Sequence, residues 1–201
     1  MWRLVALFFA LGAAIFLGMM SALWTTGLLG KPGVDFADVD VAGWQSDWSI
    51  GSDAAGPYMR ARIARHGLLA LTKQEAVYFT RRTDDDGRAL TEECTYRLTG
   101  GRQPAEWWSI TLYDSASRLP MNEDNALSLD RSQIGSVDAW GAIVSPIAAT
   151  DSAFWISSRN AGEFDLMLRL YRPTQALLAS PETELNTPSI ERLGCQGGAD
   201  E

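Results

Sequence analysis

Trp107-Trp108-Ser109-Ile110-Thr111-Leu112-Tyr113 alternates apolar and polar side chains with period two, which is the signature of a β-strand. Successive strand side chains point to opposite faces. Trp108, Ile110 and Leu112 therefore share one side, and Trp107, Ser109, Thr111 and Tyr113 the other. Phe164-Asp165-Leu166-Met167-Leu168-Arg169-Leu170-Tyr171 repeats the pattern, with Phe164, Leu166, Leu168 and Leu170 on one face and Asp165, Met167, Arg169 and Tyr171 on the other. Two such strands, covering each other or lying in facing sheets, are expected at the centre of a β-rich fold. They supply architecture and no chemistry.

Working outward, the chain has 201 residues, enough for one domain with a sizeable core. Its formal charge of -8 opposes a general attraction to phosphate backbones, so nucleic acid is not expected as a partner. Met1-Trp2-Arg3 precedes an uncharged apolar run from Leu4 to about Leu29. A bilayer needs about 20 such residues, so residues 1–30 are expected to form a transmembrane anchor with residues 4–23 in lipid. A cleaved signal peptide would need a shorter apolar core and a clean small-residue site, for which Met20-Ser21-Ala22 is the nearest approach. Arg3 places the N-terminus in the cytoplasm, opposed by Lys31 beyond the span. The expected location is a bacterial-type inner membrane, crossed once, with the globular domain in the periplasm. Ala10, Ala14, Gly18 and Ala22 recur every fourth residue, a seam that suits a partner membrane helix or self-association.

Residues 31–56 read as a juxtamembrane linker rich in breakers, with Trp44 and Trp48 spaced for one face of a short helix. Pro57 to His66 reads as a helix closed by Gly67, with His66 complementing the helix dipole rather than serving as a base. Thr72 and Glu75 match a capping box. Val77 to Thr83 and Ala89 to Leu98 have strand composition, and Asp84-Asp85-Asp86-Gly87 between them reads as a hairpin turn rather than a metal loop, whose ligands alternate. Gly135 to Ser145 offers a weaker strand, and Pro181 and Pro188 suggest an irregular tail. The sequence contains no phosphate loop, nucleophile elbow or metal-ligand pattern, and no cofactor is implied.

The segments Glu75 to Phe79, Asp84 to Leu90, Trp107 to Asp114 and Phe164 to Pro173, in that order, resemble the DUF1214 family over roughly Gly67 to Leu193. That resemblance implies a mainly β, jelly-roll-like β-sandwich with one or two short helices, here residues 57–201 behind the anchor, and it carries no assigned activity. Many members have Asn-Arg-Tyr-Ser where Asn125-Ala126-Leu127-Ser128 stands, and Asn-Trp-Leu-Pro where Phe154-Trp155-Ile156-Ser157 stands.

Three sets of residues are candidates for function. Cys94 and Cys195, an even count in an exported domain, are expected to form a disulfide, with two buried free thiols as the alternative. Trp107, Tyr113, Arg169 and Tyr171 share a strand face and could form a shallow ligand-binding surface, unless helices between Pro57 and Gln74 cover it as a second core layer. Glu106 with Asp114 or Asp165 would serve a carboxylate-dependent hydrolase acting on an envelope glycan or lipid, if they met in one cleft. The expected role is a noncatalytic binding module, with that hydrolase as the alternative.

Overall fold

The computed structural model describes residues 2–25, 37–48, 50–51, 56–57, 60–61, 64, 71–135, 137–149 and 152–196. Its contacts divide the chain into two compact units, one of Met1–Phe36 with Ser49–Ala70, the other of Ala37–Trp48 with Leu71–Glu201.

The first unit contains α1 (Trp2–Thr25), whose 24 residues are long and apolar enough to cross a membrane. Its hydroxyls are bonded within the helix itself: Ser21 donates to the Gly18 carbonyl and Thr25 to that of Ser21. Pro57, Arg60, Ala61 and Ala64 are helical, while His66 and Gly67 lie outside the described residues.

The second unit is built from two sheets. In chain order its strands are β1 (Val39–Val41), β2 (Trp44–Ser46), β3 (Ala76–Arg81), β4 (Cys94–Gly101) and β5 (Ala105–Asp114). Then come β6 (Ser128–Asp130), α2 (Arg131–Ile134), β7 (Ala139–Ser145), β8 (Trp155–Ser157), β9 (Phe164–Pro173), α3 (Gln175–Ala179), α4 (Pro181–Glu184) and β10 (Ser189–Cys195). One sheet runs β1-β2-β3-β9-β5-β6 and the other β10-β4-β7-β8. All pairings are antiparallel except β7 with β8.

The alternation read from the sequence holds, and the two long strands prove to be neighbours in one sheet. Trp108 lies opposite Leu170, Ile110 opposite Leu168 and Leu112 opposite Leu166. These side chains, with Phe79 and Trp44, meet Tyr96, Leu98, Val144, Ile156 and Ile190 of the second sheet in one apolar core. Fully burying each aliphatic side chain contributes roughly 1.5–3 kcal/mol, which is why a single-residue slip of β5, turning this row outward, is strongly disfavoured.

Four expectations are corrected. Trp44 belongs to β2, not to a helix: it is 0% exposed and its indole N–H donates to the Pro188 carbonyl. Part of the expected linker thus completes a sheet edge. The Asp84–Gly87 turn is real, but its arms pair only briefly, at Thr83 with Ala89, before β3 joins β9 and β4 crosses to the other sheet. The weak strand from Gly135 contracts to β7, preceded by a helix that the reading missed. The tail is ordered through α3, α4 and β10, because Pro181 sits at a helix first turn and Pro188 precedes the strand.

Candidate functional site

The outward face of the six-stranded sheet carries all four residues selected from the sequence, in two pairs. Trp107 and Tyr171 are cross-strand partners whose rings meet edge to face at 5.2 Å, and the Trp107 indole donates to Ser132 Oγ at 3.0 Å. Further along, Arg169 Nη2 donates to the Tyr113 hydroxyl with its guanidinium 5.5 Å from that ring. Between the pairs lie Ser109, Thr111 and Tyr78, all buried. Burial, together with nearby Tyr171, pushes the Tyr78 hydroxyl above its ordinary pKa. The four named residues are half-buried, and Arg169 Nε is buried without a partner.

The carboxylates do not converge on a cleft around Glu106. Glu106 is the second residue of β5 and Asp114 the last, a separation of about 26 Å at strand rise. Glu106 instead pairs with Arg172 at 3.2 Å, both exposed. Asp114 organises a tight turn, its Oδ1 accepting from the backbone of Ala116 and Arg118 and its Oδ2 facing Arg118 at 3.2 Å. Asp165 stands near it. Burial, against partial relief from Arg82 and with a further push from Asp114, raises the Asp165 carboxyl to about 6.

The Asp84–Asp86 run is held by cations. Asp84, 1% exposed, accepts from the backbone of Asp86 and Arg88 through Oδ1 and faces Arg192 at 2.7 Å and Arg88 at 3.2 Å through Oδ2. Burial raises its pKa, but the Arg88 backbone and the two guanidinium groups outweigh that and hold it below the usual carboxylate range. Arg81 reaches Asp85 at 2.8 Å. Since Arg81 lies on β3 and Arg192 on β10, this cluster ties the two sheets together. Alongside it, Cys94 and Cys195 form the expected disulfide across the paired ends of β4 and β10.

A pocket of about 100 Å³ opens where β4 ends and β5 and β7 begin. Its apolar wall is Trp108 stacked on Trp140, ring centroids 5.0 Å apart at 24°. Trp140 lies flat over Gly100, where an added Cβ would come within 2.3 Å of the ring, and its indole donates to the Gly101 carbonyl. Gln103, 4% exposed, donates through Nε2 to the Asn186 carbonyl at 2.7 Å and leaves Oε1 buried and unpaired. Such an orphan acceptor costs on the order of 1–3 kcal/mol. Arg131 and Arg102 border the same space. The sequence reading missed this site. Its one local signal was Asp130-x-x-Gln133, a capping box that starts α2 and so places Arg131 and Ile134.

The sequence profile of a family described as "Protein of unknown function (DUF1214)" matches residues 75–175. No curated protein matches the chain. Among solved structures, the VPA0106 protein from Vibrio parahaemolyticus superposes with a TM-score of 0.55 at 20% identity, covering 70% of this chain and 36% of that one. An uncharacterized protein from Burkholderia cenocepacia gives a TM-score of 0.42 at 18% identity, covering 90% of this chain and 41% of its own. This chain therefore spans well under half the length of either. The first likeness extends to the fold alone. Since the matched segment makes up half of the sequence and carries β3 through β9, including both long strands and the end pocket, the chain belongs to the DUF1214 family.

Proposed function

We propose that this protein is a noncatalytic interaction module of the cell envelope, held in the inner membrane by α1 with its sandwich in the periplasm, and that it receives a protein partner on the outward face of the six-stranded sheet. The observation that carries the reading is the placement of Trp107, Tyr171, Tyr113 and Arg169 on one face of paired strands, each half-buried. Aromatic and arginine side chains there offer large apolar area with hydrogen-bonding edges, the composition found where partners dock. The disulfide supports an oxidising compartment. The hydrolase alternative is disfavoured by the span between Glu106 and Asp114, which exceeds the roughly 5–10 Å of glycosidase carboxylate pairs.

A photo-crosslinking residue at position 171, in cells, tests the reading. One discrete adduct, lost in Arg169→Ala and absent when the crosslinker replaces Arg97 on the other sheet, is the expected result. Equal, diffuse labelling from both positions would remove the face as a docking site.

A further inference from the structure

We propose that the Cys94–Cys195 disulfide is redox-active: a thiol–disulfide exchange site that a dithiol protein reduces in the folded chain, with Cys195 as the sulfur it attacks. The inference does not rest on the outward face of the other sheet.

A bulge in β10 builds the site. On a regular strand Arg192 and Cys195, an odd number of positions apart, would point to opposite faces. Leu193 is an extra residue between them, so Arg192 lies opposite Tyr96 and Cys195 opposite Cys94, on one face of β4. The guanidinium is aimed by its other contacts. Its Nε donates to Asp84 Oδ2 at 2.7 Å and its Nη2 to the Ala89 carbonyl at 2.7 Å, while the group lies over the Tyr96 ring, 5.4 Å from the centroid. Nη1 then faces Cys195 Sγ at 3.8 Å. At the other sulfur, Thr91 Oγ1 stands 3.4 Å from Cys94 Sγ, and since a disulfide sulfur carries no proton the hydroxyl is the donor. A bond that only closed a loop would need neither donor.

Access and charge assign the steps. Cys94 is 3% exposed and Cys195 half-buried, so the thiolate of the reductant attacks Cys195. The S–S bond breaks and Cys94 leaves as a thiolate that accepts from Thr91. The second thiol of the reductant then attacks its own partner sulfur in the mixed disulfide, and Cys195 leaves as a thiolate stabilised by the Arg192 cation. Two electrons pass to the cysteine pair, the reductant becomes a disulfide, and the proton of its second thiol goes to Cys94.

The test uses the full chain in detergent micelles, with reduced thioredoxin as the dithiol and no denaturant. Alkylation should show both cysteines free within minutes, while the stacked indole signal of Trp108 and Trp140 in near-ultraviolet circular dichroism stays native. A thioredoxin variant lacking its second cysteine should be trapped on Cys195, as read by peptide mass spectrometry. Thr91→Val should slow reduction about tenfold, the effect of one hydrogen bond to a developing thiolate. Arg192→Lys keeps a charge for Asp84 but withdraws the arm that faces the sulfur, so the mixed disulfide with intact thioredoxin should accumulate. Reduction only in urea, trapping on Cys94, or both variants behaving as the native chain would each overturn the proposal. Should Arg192→Lys fail to fold, native-state reduction, the trapped sulfur and Thr91→Val still decide it.

Discussion

Two aspartates show how burial alone does not set the behaviour of a carboxyl group. Asp84 is the more enclosed, yet its guanidinium and backbone partners keep it ionised, whereas Asp165 faces Arg82 only at 3.9 Å and is raised to about 6. Between the unfolded value near 3.8 and the folded value near 6, the native state holds a proton on Asp165 that the unfolded chain has lost. Stability from this group therefore falls as pH rises through that window, by about 3 kcal/mol in all and about 1 kcal/mol between pH 5 and pH 7. Urea unfolding at the two pH values should show this difference in the native chain and its loss in Asp165→Asn. Asp84 behaves in the opposite sense: its contribution is present above the ordinary carboxylate range and is lost as pH falls through its lowered value. Asp84→Ala would strand Arg192, itself largely buried, and should cost about 3 kcal/mol or more in the same assay. On the outward face, Tyr171→Ala separates two roles. A docking residue would leave the melting temperature nearly unchanged, while a packed second layer would lose about 3 kcal/mol or more.

At the level of elements, one device appears twice. Asp84–Arg88 and Asp114–Arg118 are built alike: the backbone of the first residue pairs with the carbonyl of the fifth, and the aspartate Oδ1 accepts from the third and fifth amides. The fourth position has positive φ, 82° at Gly87 and 58° at Ser117. A short loop is thus closed by its own first side chain, which explains why an aspartate opens each of these turns. β7 depends on a different device, the absence of a side chain at Gly100. Gly100→Ala would drive Trp140 off its seat, and near-ultraviolet circular dichroism should show the stacked indole signal collapsing together with a lowered melting temperature. β10 is an edge strand closed to β4 by the disulfide. Its removal in Cys195→Ser should cost about 2–5 kcal/mol by urea unfolding, since the bond closes a separation of 101 residues.

For the whole molecule, the proposed topology predicts that protease added to the periplasmic side digests residues beyond α1 and spares Trp2–Thr25. A mature chain starting after Ala22, seen by mass spectrometry, would show cleavage instead of anchoring. The seam of Ala10, Ala14, Gly18 and Ala22, small residues recurring every fourth position along α1, is proposed as the place where a second helix packs. Gly18→Leu should then reduce self-association measured in membranes while leaving the sandwich unchanged.

What the sequence determined by itself were properties that each segment carries locally. The faces of β5 and β9, the length and apolarity of α1, the Asp84–Gly87 turn and the two-cysteine inventory depend on side-chain order and composition, and all are found as read. Pairing was decided only by tertiary structure. Period-two alternation is the same for strands that face or adjoin each other, so nothing in Trp107–Tyr113 told that its neighbour would be Phe164–Tyr171 rather than the strand after Asp84. The short strands β1 and β2 bury Trp44 only because β3 offers an edge, and β10 forms only because β4 and the disulfide receive it. The end pocket lay furthest from view. It needs Gly100 opposite Trp140, Trp108 stacked across the core and Gln103 held by Asn186, contacts between segments up to 83 residues apart that no local pattern encodes.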